Sequence, residues 1–223
     1  METVRGGDRY PHGSMGISEA QDTYRTLAGS GEAKIREKAS VFLAMAAPVA
    51  SADLADELLE SWRKQYHDAT HIGWARRLAP PPDGEERWDD DGEPHGSTGQ
   101  PILHAIRGAD LWGVQVGVVR WYGGTKLGVG GLVRAYGGAA ADAIAAAPVK
   151  IVTLTTTLEI TLPHDRIGAV YALAEREGAQ LHAPVAGAQT TTLTLDVPAS
   201  RADHVAEAIR EATAGRASTV VLP

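Results

Sequence analysis

The segment RWYGGTKLGVGGLVRAYGG, residues 120–138, sets Arg120, Lys126 and Arg134 among Gly123, Gly124, Gly128, Gly130, Gly131, Gly137 and Gly138, with no acid between them. Glycines uncover backbone N–H groups, and cations beside such amides hold anions. Two named phosphate motifs fail here. A Walker A loop needs a hydroxyl residue after its lysine, but Leu127 follows Lys126. A dinucleotide fingerprint counted from Gly128 needs glycine at its sixth position, which is Val133. What remains is a strand, an open loop and a helix starting near Gly130 or Gly131. Arg134 then stands in a first helical turn, where a cation opposes the helix dipole at roughly 0.3–1 kcal/mol unless it faces negative charge. That charge is either a ligand phosphate or the acids upstream.

Those acids are concentrated. DGEERWDDDGE, residues 83–93, carries seven of them against Arg87 alone. In DDGEPHGSTGQP, residues 90–101, Ser97 and Thr98 precede an apolar helical run and present a second helix N-terminus suited to an anion. Asp90, Asp91 and Glu93, with His71 from DATH, are candidate acid–base or ion-pair partners for the cations. A lone histidine at a helix-to-strand junction is also a common structural residue. No EF-hand spacing, HExxH or G-x-S-x-G occurs. The sequence therefore implies no metal or cofactor and fixes no catalytic residue.

The elements that must position these residues are readable. YRTLAG and AKIREKASVFLAMAAPV read as two strands, paired as a hairpin. Ser51 should cap a helix whose inner face is Leu54, Leu58, Leu59, Trp62 and Tyr66. HIGWARRL reads as a strand and residues 79–96 as a long polar connection. A short helix follows Ser97 or Thr98, then the strand LWGVQVGVVRWY, then a helix with Leu132, Val133, Tyr136, Ala140 and Ile144 inward. Pro148 marks its end. Beyond it come the strand KIVTLTTTLEITL, a helix from Pro163 to Glu177 stopped by Gly178, the strands QLHAPVAG and QTTTLTLDVP, a helix capped by Ser200, and the strand RASTVVLP. This βαββαβ order is ferredoxin-like.

The expected organisation is a mobile tail over residues 1–20, an N-terminal domain over 21–149 and a ferredoxin-like domain over 150–223. Hydrophobic residues form 43% and charged residues 22% of the chain, as in a globular protein, and no apolar run is long enough to cross a bilayer. The first 20 residues lack the apolar core of a secretory signal, and the chain has no cysteine. A cytoplasmic protein is expected. The net charge of −7 excludes a broad basic surface for duplex DNA.

DATH, DDGEPHGSTGQPIL and VVRWYGGTKLGVGGLVRAY occur in the order and spacing of the IMPACT/YigZ family, which this chain resembles over roughly residues 22–148. Trp121-Tyr122 and Ser97-Thr98 depart mildly from the usual Tyr-Phe and Thr-Ala. The resemblance implies an α+β fold: an N-terminal βαβ domain of the ribosomal-protein and RNase PH type, then a ferredoxin-like domain similar to the last domain of elongation factor G. It also implies a link to translation. Eukaryotic members compete for an activator of a starvation-responsive kinase, which is binding rather than catalysis. The leading expectation is a regulatory binding protein in which Arg120, Lys126, Arg134, Ser97, Thr98 and the amides of Gly123, Gly124, Gly130 and Gly131 hold RNA, a nucleotide or a partner from the translation machinery. The alternative is a hydrolase or phosphoryl-transfer enzyme that sets Asp90, Asp91 or Glu93 against Lys126 and Arg134.

Overall fold

The structure is a computed structural model that describes residues 22–78 and 84–222; the expected N-terminal tail lies outside them. It is α+β and divides into two compact units. One spans Thr23–Val152 and the other contains Asp22 and residues 153–222.

The first unit is built on a five-stranded sheet of β2 (Gly31–Glu37), β3 (Ser40–Pro48), β6 (Val114–Trp121), β4 (His71–Leu78) and β5 (Glu85–Asp89), in that spatial order and antiparallel throughout. Strand β6 is buried along nearly its whole length because both faces are covered. Its Val114, Val116 and Val118 join Phe42, Ala44 and Ala75 beneath α2 (Gly99–Gly108) and α3 (Val129–Ala146). Its Gly117 and Val119 face the other way, toward α1 (Ala52–Gln65). Gly117 is required there, since a Cβ would come within 2.7 Å of the Trp62 ring. Ser51 caps α1 through its hydroxyl, which accepts from the Leu54 amide at 3.3 Å. Ala55, Leu59 and Trp62 form the buried stripe of α1, whereas Leu54, expected inside, is half exposed.

Three readings of this unit are corrected. The β2–β3 hairpin lies inside the segment expected to be one strand, turning at Lys38 with φ 51°, and β1 (Thr23–Leu27) pairs with β7 (Val149–Thr153) instead. The polar connection contains β5, because its acids find cross-strand cations: Glu86 lies opposite Arg77, with Oε1 and Nε 2.8 Å apart. On α3, Leu132, Tyr136, Ala140 and Ile144 face inward as expected, joined by Ala135, Ala139 and Ala143, but Val133 is exposed.

The second unit is an antiparallel sheet in the order β10 (Val185–Ala186), β11 (Thr190–Pro198), β8 (Thr155–Pro163), β12 (Ser218–Val221), with β9 (Gln180–Leu181) also on β11. Leucines and Ile160 at alternate positions of β8 and β11 pack against α4 (Ile167–Glu177) and α5 (Ala202–Ala212). The expected strand QLHAPVAG is split into the two short strands β9 and β10, both on β11, so that three strands rather than two lie between α4 and α5. Gly178 ends α4 in the left-handed region with φ 64°. Ser200 does not cap α5. A short 3₁₀ turn intervenes, and the Ser200 hydroxyl and amide both donate to Asp22.

Candidate functional site: a glycine-rich cationic loop on a buried polar network

The end of β6 carries Arg120 into a nearly closed polar network. Its Nη1 lies 2.5 Å from Glu93 Oε1, and both side chains are only 6% exposed. Tyr136, fully buried on α3, donates its hydroxyl to the same oxygen at 3.0 Å. Burial first, then the Glu93 carboxylate, push the Tyr136 phenol far above its ordinary range, so it stays a donor. The Nη2 of Arg120 donates to Ser40 Oγ at 3.3 Å, and that oxygen also accepts from the Gly123 amide at 3.4 Å. Glu93, Arg120, Ser40 and Gly123 thus form one hydrogen-bonded chain from the acidic loop to the glycine-rich one. Gly123 fits against the β2–β3 turn only without a side chain, since a Cβ would sit 1.8 Å from the Ala39 carbonyl oxygen.

The two aspartates are spent on main chain. Asp90 reaches forward to the start of α2, where Oδ1 accepts from the Thr98 and Gly99 amides at 3.0 and 2.8 Å and Oδ2 from the Gly96 amide at 2.7 Å. The anion that this helix N-terminus demands is therefore supplied by the chain itself. Asp91, at φ 48°, accepts from the Ile72 amide at 2.7 Å. Its carbonyl oxygen lies 2.7 Å from His71 Nδ1, which fixes the ring as an Nδ1–H donor. Ser97 and Thr98 are fully buried, and the Ser97 hydroxyl has no hydrogen-bond partner among the described residues. Thr98 packs against Gly73, where a Cβ would lie 1.8 Å from Thr98 Cγ2. This interior placement separates them from the exposed glycine-rich loop, with which the sequence grouped them.

The loop itself is open. Tyr122, Gly123, Gly124, Lys126, Gly128, Gly130 and Arg134 are exposed, and Gly131 is half-buried. Gly124 and Gly128 adopt φ of 86° and 71°, which other residues rarely tolerate. Helix α3 begins after Gly128 with no side-chain cap and no acid in its first turn. Arg134 leans back over Gly130, whose Cβ position is 3.6 Å from Nη1. Among the described residues, neither Lys126 nor Arg134 has a carboxylate partner. Lys38 adds a third exposed cation, its Nζ 3.5 Å from the Lys126 carbonyl oxygen. Sequence reasoning missed Lys38, Ser40 and Tyr136 as parts of this site. Ser40 and Lys38 carry no motif, and Tyr136 reads as a core aromatic.

The residues held together here are those of the most distinctive sequence motifs, and the Impact N-terminal domain family matches residues 38–144. An IMPACT family member of Thermus thermophilus is 46% identical over 134 residues, covering 60% of this chain and 71% of that protein. The chain belongs to the IMPACT family. The IMPACT family member YigZ of Escherichia coli is 34% identical over 140 residues, covering 61% of this chain and 67% of its own length. A crystal structure described only as that of a hypothetical protein aligns with a TM-score of 0.65 at 25% identity, covering 91% of this chain and 98% of that one. IMPACT membership rests on the first unit, where the network and the open loop lie.

Proposed function

We propose that this chain is a cytoplasmic, translation-linked regulatory protein that binds RNA phosphates through its glycine-rich loop. One observation carries the reading: the start of α3 is open and has no side-chain cap, with Lys126 and Arg134 beside it and no carboxylate among the described residues paired with either cation. Helix α3 starts at Val129, earlier than the sequence suggested, so Arg134 stands in its second turn and reaches the helix start by leaning back over Gly130, where its charge opposes the dipole until an anion arrives. The alternative source of that anion is gone, because Asp90 and Asp91 hold main-chain amides and Glu93 holds Arg120. The same commitments weigh against the enzyme reading, since they leave none of Asp90, Asp91 and Glu93 free to act opposite the cations. The translation link, with the likeness of the units to RNase PH and to the last domain of elongation factor G, rests on the family's character.

The test is filter binding of an RNA with both hairpin and single-stranded segments across a salt series. Wild-type affinity should fall with salt. The double variant Lys126→Ala, Arg134→Ala should bind at least tenfold more weakly, with its log–log salt slope reduced by about 1.4, two phosphate contacts at about 0.7 each. No wild-type binding, or a double variant equal to wild type, would sink the proposal.

A further inference from the structure

We propose that Tyr122 is a base-stacking platform and that the loop accordingly takes single-stranded rather than duplex RNA. This rests on the phosphate-binding reading above and adds a second, separable contact to it. Tyr122 is 43% exposed, an aromatic ring at the surface where the other exposed large apolar residues of its unit are aliphatic. Its position is set from behind. The Tyr122 amide donates to Thr70 Oγ1 at 3.0 Å, and the Arg120 guanidinium lies 5.2 Å from the ring centroid. That guanidinium is itself held by Glu93 and Ser40, so the ring is backed by a cation that cannot swing away. A ring presented in this way loses little freedom when a base stacks on it.

The surroundings match the two chemistries of a single strand. Lys126 and Arg134 follow Tyr122 along the same exposed segment, and Val129 and Val133 expose apolar surface between and beside them. Bases stacked inside a duplex offer no face to a tyrosine, whereas an unpaired strand offers both a π-face and a phosphate. A purely phosphate-reading surface would have no use for exposed Tyr122, Val129 and Val133. The exposed aromatic ring of the second unit, Tyr171, lies on α4 and not on its main strands. β8 and β11 carry Glu159 and Asp196 among threonines, with no aromatic ring and no cation.

The test compares a 12-nucleotide single-stranded RNA carrying one 2-aminopurine with a 12-base-pair RNA duplex at one salt concentration, using the full chain. Wild type should prefer the single strand and quench the 2-aminopurine. Tyr122→Ala should weaken single-strand binding about 5- to 100-fold and abolish the quench, leaving duplex binding within about twofold. Tyr122→Phe should behave as wild type, which separates stacking from any loss of fold; urea midpoints of the three proteins should agree. Equal wild-type affinity for strand and duplex, or an unchanged Tyr122→Ala, overturns the stacking proposal while a weakened Lys126→Ala, Arg134→Ala keeps the phosphate site. Indifference of that double variant, or no binding by wild type, overturns both.

Discussion

Arg120 and Glu93 are 27 residues apart in sequence and form an ion pair of 2.5 Å with both side chains almost completely buried. A pair so enclosed gains little over an apolar substitute, but removing one member strands the other's charge in the interior. Glu93→Ala should therefore destabilise the protein by about 3–5 kcal/mol, and Glu93→Gln, which keeps an acceptor for Tyr136, by less. Urea unfolding followed by circular dichroism measures both. A loss below 1 kcal/mol for Glu93→Ala would mean that water reaches the pair.

Asp90 is the cap of α2 although it lies eight and nine residues before the amides of Thr98 and Gly99 that it holds. Asp90→Ala leaves those donors and the Gly96 amide without an acceptor and should cost about 2–3 kcal/mol. Amide hydrogen exchange locates the effect. Faster exchange should appear at Gly96, Thr98 and Gly99 and not in α1.

Two glycines of the same segment should respond oppositely to alanine. At Gly123 a Cβ meets the Ala39 backbone, so Gly123→Ala should cost about 1–3 kcal/mol and displace the loop, lowering RNA affinity with it. At Gly138, exposed on α3, a Cβ meets nothing within 4 Å. Gly138→Ala should raise stability by about 0.5–1 kcal/mol through helix propensity. Thermal unfolding of the two single variants decides this.

Tyr136 gives a sign to the alkaline limb. Its folded pKa is raised, first by burial and then by Glu93, so the unfolded chain loses the phenolic proton near pH 10 while the folded chain keeps it. Stability from this group is complete below about pH 10 and declines above it by about 1.4 kcal/mol per pH unit. Tyr66, raised by burial and by Glu32, adds in the same direction. Urea midpoints between pH 9 and pH 11 should fall more steeply for wild type than for Tyr136→Phe.

The strands β4, β6, β8 and β11 and the helices α1, α3 and α4 were legible in the sequence because alternation, helical spacing, Ser51 and Gly178 are local signals. Strand β5 was not, since its charges read as a solvated loop until Arg76, Arg77 and Arg107 are placed beside them. The cationic loop and the buried acids divide in the same way. The sequence alone determined that Lys126 and Arg134 share a glycine-rich segment without an acid, and that a run of carboxylates stands about 30 residues before it. Only the tertiary structure decided where those carboxylates go. Asp90 turns onto α2, Asp91 onto β4 and Glu93 onto Arg120, because buried amides and a buried guanidinium must be satisfied within the fold, while an exposed cation near a helix start is hydrated until an anion arrives. That asymmetry consumes the acids in the interior and leaves the cations at the surface.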